Sequence, residues 1–250
     1  MFRNYLAAAF GNLSRNWLYA GITIVGLAVG FAAAILVGLY VRDEYSFERF
    51  IAGYQDVYRL EMDAVAPGQK PARTESSQIT AAGALKLDFP EVWQVARLAR
   101  RGMWVGRGEA KTHERIAWTD PDFFRVLPYP VLAGDPVSAL GDPNGVVIDR
   151  KMARKYFGVD APIGKTLMIQ TVAGEGVLAA AHPMVVKAVL KDVPSQTHLE
   201  PFEIFAPGRA TWSPLTSLES VYKENPSRTD VSVWTYVRLR PGASPDRSLT

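Results

Sequence analysis

Ile163-Gly164-Lys165-Thr166 reads like the end of a phosphate-binding loop. In that motif glycine, four residues and then Gly-Lys-Ser/Thr wrap a phosphate on a strand-to-helix turn. The first glycine belongs where Val159 stands, and Gly158 comes one residue too early. Leu167-Met168-Ile169 then reads as strand rather than helix, so no nucleotide site is expected. Ser220-Val221-Tyr222-Lys223 matches the Ser-x-x-Lys of acyl-serine enzymes, but neither Ser-Asp-Asn nor Lys-Thr-Gly accompanies it. It reads as an exposed helix face. His113, His182 and His198 stand far apart, and an isolated neighbour such as Glu114 or Glu200 does not make a metal ligand set. The chain has no cysteine, which excludes disulfides, thiolate metal sites and cysteine nucleophiles. Asp120, Asp122, Asp135, Asp142 and Asp149 are candidates for paired-carboxylate work. Three of them sit in Asp-Pro pairs, at 120–121, 135–136 and 142–143, which favour turns and helix starts. Capping is therefore their expected job. No catalytic residue, cofactor or metal is assigned, and the chain is not expected to be an enzyme.

A basic stretch, Arg97, Arg100, Arg101, Arg107, Lys111, His113 and Arg115, is interleaved with Trp104 and Trp118, a combination that suits nucleic acid or anionic lipid. Strand alternation divides these residues between two faces, and Glu109 and Glu114 dilute them. A net charge of +3 over 250 residues is also a weak field. A solvated rim or a protein-contact surface is expected, and no nucleic-acid partner.

The spacing that carries most information is Gly26, Gly30, Ala34 and Gly38. Four-residue repeats of small side chains form one helical stripe and let another helix backbone approach closely. The stripe lies in a run without charge at residues 18–41, long enough as a helix, roughly 36 Å, to cross a bilayer core. Trp17 and Tyr19 flank one end, Tyr40 and Tyr45 the other, as interfacial aromatics do. The run is too long for a signal peptide, and no small-residue cleavage site follows it. The expected organisation is an amphipathic interfacial helix at 1–16, a transmembrane helix at 17–41 and an extracytoplasmic domain at 42–250. Arg3 and Arg15 precede the span with no acid before Asp43, which favours a cytoplasmic N-terminus.

Residues 42–55 are expected to carry the membrane helix on into the outer domain. Strands are expected at 57–62, 92–101, 116–119, 146–149, 166–172, 184–189 and 231–239, from their β-branched and aromatic content. Helices are expected at 76–87, 121–127, 150–157 and 214–224. The elements interleave without a βαβ rhythm, so the class is α+β.

Taken in order, several segments carry a family resemblance. They are Tyr40-Val41-Arg42-Asp43-Glu44-Tyr45-Ser46-Phe47, Val57-Tyr58-Arg59-Leu60, Phe89-Pro90-Glu91-Val92 and Thr119-Asp120-Pro121-Asp122-Phe123-Phe124. Leu132-Ala133-Gly134-Asp135-Pro136, Ala153-Arg154-Lys155-Tyr156-Phe157-Gly158, Pro162-Ile163-Gly164-Lys165-Thr166 and Trp234-Thr235-Tyr236-Val237 follow. The chain resembles an FtsX-like ABC transporter permease of the MacB type, with its periplasmic core domain. That resemblance implies a subunit of the inner (plasma) membrane, working as a homo- or heterodimer with an ABC ATPase and a periplasmic adaptor. It implies ATP hydrolysis in the cytoplasm coupled to motion of the outer domain, for export or for mechanotransmission. Such permeases have three further membrane helices after this domain, so the sequence reads as an N-terminal fragment. The segment 170–183 reads as longer than the family's hairpin there. A single-span sensor or ligand-binding module is the alternative, and a membrane-anchored enzyme a third.

Overall fold

The computed structural model describes residues 15–44, 50–64, 68, 70–172, 178–192, 197, 202–225 and 232–243. The expected interfacial helix at 1–16 lies almost wholly outside them. The chain divides into two compact units, 1–47 and 48–250.

In the first unit a single helix, α1, runs Trp17–Glu44. It is apolar all round, and its large side chains, from Trp17 and Ile22 to Phe31 and Tyr40, are exposed. A helix with that pattern is stable in water only if something covers it, and the simplest cover is hydrocarbon.

The second unit is an α+β domain. Its strands are β1 (Val57–Arg59), β2 (Met62–Ala64), β3 (Ala72–Thr74), β4 (Ser77–Gln78), β5 (Val92–Arg107) and β6 (Ala110–Thr119). After these come β7 (Val131–Gly134), β8 (Gly145–Asp149), β9 (Thr166–Val172), β10 (Leu178–Leu190), β11 (Ile204–Pro207) and β12 (Ser232–Leu239). The helices are α2 (Ala81–Asp88), α3 (Phe123–Val126), α4 (Pro136–Gly141), α5 (Arg150–Phe157) and α6 (Pro214–Glu224). The main sheet runs β1-β12-β5-β6-β11-β8-β10-β7, and β9 joins β10 to the far half of β5. The hydrogen-bonded path β5-β6-β11-β8-β10-β9 therefore closes on itself. Strand β5 makes this possible by its length. Its first half pairs with β12 through Leu98, and its second half pairs with β9 from Trp104 to Gly106.

Alternation along these strands sorts the core into two faces. Ile116 and Trp118 of β6, Val146 and Ile148 of β8, Leu167 and Ile169 of β9 and Ile204 of β11 share one buried cluster with Met152 of α5 and Leu215 of α6. Ala117, Val147 and Phe205 point to the other face, where they pack with Phe123, Phe124, Tyr129 and Tyr236. A bulge between Val186 and Ala188 shifts the phase of β10, so that Val186 and Val189 share a face.

Four differences from the sequence expectations have physical causes. Helix α1 is described to Glu44, but residues 50–55 do not continue it. Gly53 adopts a left-handed conformation (φ 67°) and opens a single 3-10 turn, Tyr54–Asp56, and Arg238 donates to the carbonyls of Ala52 and Gly53. The strand expected at 57–62 breaks after Arg59, because β2 leaves the main sheet to pair with β3. The helix expected from 76 starts only at Ala81, since Ser77 and Gln78 pair with β12 and the Ser77 hydroxyl bonds that of Thr235 at 2.8 Å. Strands β7 and β11 are additional; they are four residues each and bounded by proline or glycine, too short to show a period.

Candidate functional site

Two features of the structure are candidates for function: the small-residue stripe of α1 and a cleft around Arg97 in the outer domain. In α1 a Cβ built on Gly26, Gly30 or Gly38 meets no atom within 4 Å. Ala34 is exposed between them. The stripe is thus an open, uncapped face of the helix.

The cleft is built from the strand floor upward. Arg97 lies on β5, and Asp120 follows β6, its register neighbour. The Arg97 amide and Nε both donate to Asp120 Oδ2 at 2.9 Å, and Nη2 donates to Oδ1 at 2.9 Å. Nη1 reaches Glu219 of α6 at 2.7 Å and the Ile79 carbonyl at 3.4 Å. Burial pushes the guanidinium pKa down, but the hydrogen bonds and charge of Asp120, then Glu219, outweigh it and the net shift is upward. Arg97 is a permanent cation tying β5, the β6 end and α6 together. Around it Ile79, Ala82, Val95, Pro121 and Tyr222 wall a cavity of about 610 Å³. Lys86, Arg209 and Lys223 also line it.

The other motifs singled out in sequence do structural work. Gly164 turns at φ 79° and Thr166 opens β9, so the Gly-Lys-Thr run is a strand entrance rather than a phosphate loop. The Ser220 hydroxyl donates back to the Thr216 carbonyl at 3.1 Å inside α6. His113 packs edge-on to Trp104, and His182 stacks on Trp212 with ring centroids 3.9 Å apart. His198 lies outside the described residues. No cluster of three or more metal-ligating side chains occurs among the described residues.

The acids divide into caps and ion-pair partners. Asp135 accepts from the amides of Val137 and Ser138 and starts α4, and Asp149 accepts from Met152 at 2.7 Å and starts α5. Capping fails for Asp120, which is committed to Arg97, for Asp122, which makes no cap bond and takes Arg125 instead, and for Asp142, which bonds the Asn144 amide and Lys187. Lys187 and that amide hold the Asp142 carboxyl below the usual range. Burial lifts the Asp149 carboxyl to about 6 against its cap bond, with Glu203 and Asp192 adding to the rise.

The basic stretch is broken up. Arg97 turns inward, Arg100 lies over the Trp234 ring at 4.0 Å, and Arg107 bonds the Tyr156 carbonyl. Lys111 donates to Gln170, and Glu114 on the same strand takes Lys155 and the Tyr156 hydroxyl. Burial, then Glu114, raises the Tyr156 phenol pKa.

The chain has relatives of known family and fold. The family model of the MacB-like periplasmic core domain matches residues 20–248. The chain belongs to the MacB-like periplasmic core domain family. A domain of a protein described as a permease, from Porphyromonas gingivalis, has a similar structure, with TM-score 0.60 and 22% identity over 80% of this chain and 79% of that one. The periplasmic region of MacB from Actinobacillus actinomycetemcomitans gives TM-score 0.49 and 14% identity over 80% of both chains. The extracellular domain of the noncanonic ABC-type transporter YknZ from Gram-positive bacteria gives 0.47 and 19%, over 77% of this chain and 86% of that one. No curated protein matches the sequence. The MacB-like family is that of a periplasmic domain of ABC transporter permeases, and its model extends here from within α1 to beyond β12.

Proposed function

We propose that this chain is part of a permease subunit that couples ATP hydrolysis in the cytoplasm to motion of its outer domain. The work would be export or mechanotransmission. One observation carries the reading: the MacB-like match begins inside the membrane-length helix and runs through the whole outer domain on one chain. In this reading the chain is divided at 1–16, 17–41 and 42–250, sits in the inner (plasma) membrane with its N-terminus in the cytoplasm, and presents the domain to the periplasm or exterior. Hydrolysis belongs to an ABC ATPase, and the permease acts as a homo- or heterodimer with a periplasmic adaptor as a further partner. Gly26, Gly30, Ala34 and Gly38 then serve as the packing stripe against neighbouring permease helices.

The test uses the complete permease with its ATPase in nanodiscs. Val159 is exposed and these 250 residues hold no cysteine, so Val159→Cys, in a permease and ATPase otherwise freed of cysteine, gives one labelling point on each outer domain. The distance between two such labels, read by pulsed electron resonance, is expected to change when ATP is added to a hydrolysis-deficient ATPase. An unchanged distance distribution would contradict coupling and favour the sensor reading.

A further inference from the structure

The cavity beside Arg97 has an excess of positive charge that the fold leaves uncompensated. Lys86 comes from the last turn of α2, Lys223 from the last turn of α6, and Arg209 from the turn after β11. Helix dipoles favour lysine at the first two places, but do not explain why all three line one cavity. Many basic side chains elsewhere in the domain pair with acids, as Arg59 does with Glu61 and Glu75, Arg125 with Asp122, Arg154 with Asp160 and Lys155 with Glu114. Arg107, Arg238 and Arg240 donate to carbonyls, and Lys111 to Gln170. Among the described residues, Lys86, Arg209 and Lys223 have no such partner. The acids that share the cavity are already committed. Asp120 and Glu219 are taken by Arg97, and Asp122 by Arg125.

The remaining wall is apolar, from Ile79, Ala82, Val95 and Pro121, with the Tyr222 ring beside them. A volume of about 610 Å³ lies within the usual span for small-molecule sites and far exceeds the need of an inorganic ion. Unpaired cations at the rim and an apolar wall behind them fit one ligand chemistry.

We propose that this cavity binds a small organic anion, one carboxylate or phosphate attached to an aromatic or short aliphatic body. Lys86, Arg209 and Lys223 hold the anionic group, and Ile79, Ala82 and Val95 cover the body. Arg97 does not take part directly; with Asp120 and Glu219 it forms a floor of net charge −1, which the three cations Lys86, Arg209 and Lys223 outweigh. The proposal stands whether or not the permease reading does.

The test uses the full chain in phosphatidylcholine nanodiscs, whose lipid carries no net charge, and follows ligand fluorine resonances. The probes are 4-fluorobenzoate and 4-fluorophenyl phosphate. At least one is expected to bind saturably below about 1 mM. Lys86→Gln and Lys223→Gln should each weaken it about three- to tenfold, and the triple variant with Arg209→Gln should abolish it. Lys165→Gln, away from the cavity, should change nothing, and melting temperatures should be unaltered. Inorganic phosphate and 4-fluorobenzyl alcohol, each with half of the chemistry, should bind at least about tenfold more weakly. Absence of saturable binding by both probes would overturn the proposal, and so would wild-type affinity in the triple variant. Equal affinity for inorganic phosphate would overturn it too, by showing a charge effect alone.

Discussion

Asp149 shows how a single buried group sets a pH dependence. It caps α5 while only 3% exposed, and its carboxyl titrates near 6, above the usual 3.8. The folded state therefore holds the proton more tightly than the unfolded chain. Its contribution to stability is full below about pH 4 and is lost as pH rises through about 6. Asp149→Asn keeps an oxygen for the Met152 amide without the charge. It should raise stability at pH 7.5 by about 1–2 kcal/mol in urea unfolding, with the gain vanishing near pH 4. A loss of stability at pH 7.5 would mean that the anionic cap outweighs burial. Arg97 gives the opposite case, a partly buried cation whose acids are all in place. Asp120→Ala would leave the guanidinium with Glu219 and the Ile79 carbonyl and should cost about 1–3 kcal/mol by the same measurement. The residue types at 97 and 120 were plain in sequence, but their pairing was not, because it depends on the register Leu98↔Thr119 that brings the β6 end beside β5.

At the scale of elements, the sequence was most legible where periodicity and caps agreed. Helices α5 and α6 fall at the expected residues 150–157 and 214–224, each opened by a capping side chain, Asp149 and Ser213. Gly158, left-handed at φ 72°, closes α5. Strand β8 is buried throughout and reads as a continuous apolar run. What stayed hidden was short or non-local. Strand β7 turns out of the sheet at Gly134, where a Cβ would collide with the Lys187 carbonyl, a constraint visible only once β10 lies beside it. The long apolar helix was legible from composition alone, and its stripe makes a sharp prediction. If Gly26, Gly30, Ala34 and Gly38 face other permease helices, Gly30→Leu should reduce recovery of the permease–ATPase complex severalfold. Ile35→Leu, off the stripe and equal in volume, should not. A lipid-facing position would accept leucine freely, so normal assembly in Gly30→Leu would assign the stripe to composition only.

At the scale of the whole molecule, the fold class followed from mixed elements without a βαβ rhythm, while the closed path β5-β6-β11-β8-β10-β9 did not. That closure rests on two partners sharing β5 end to end, a non-local arrangement that no local pattern encodes. The family assignment joins a membrane-length helix to a periplasmic domain, so the account depends most on which side of the membrane residues 48–250 occupy. The absence of cysteine makes this directly measurable. Val159→Cys in the outer domain and Asn16→Cys beside the start of α1 are labelled in intact cells with a membrane-impermeant maleimide. The account predicts that Val159→Cys reacts from outside and that Asn16→Cys reacts only after the inner membrane is opened. Protection of Val159→Cys in cells with an intact inner membrane but a permeable outer envelope would contradict it.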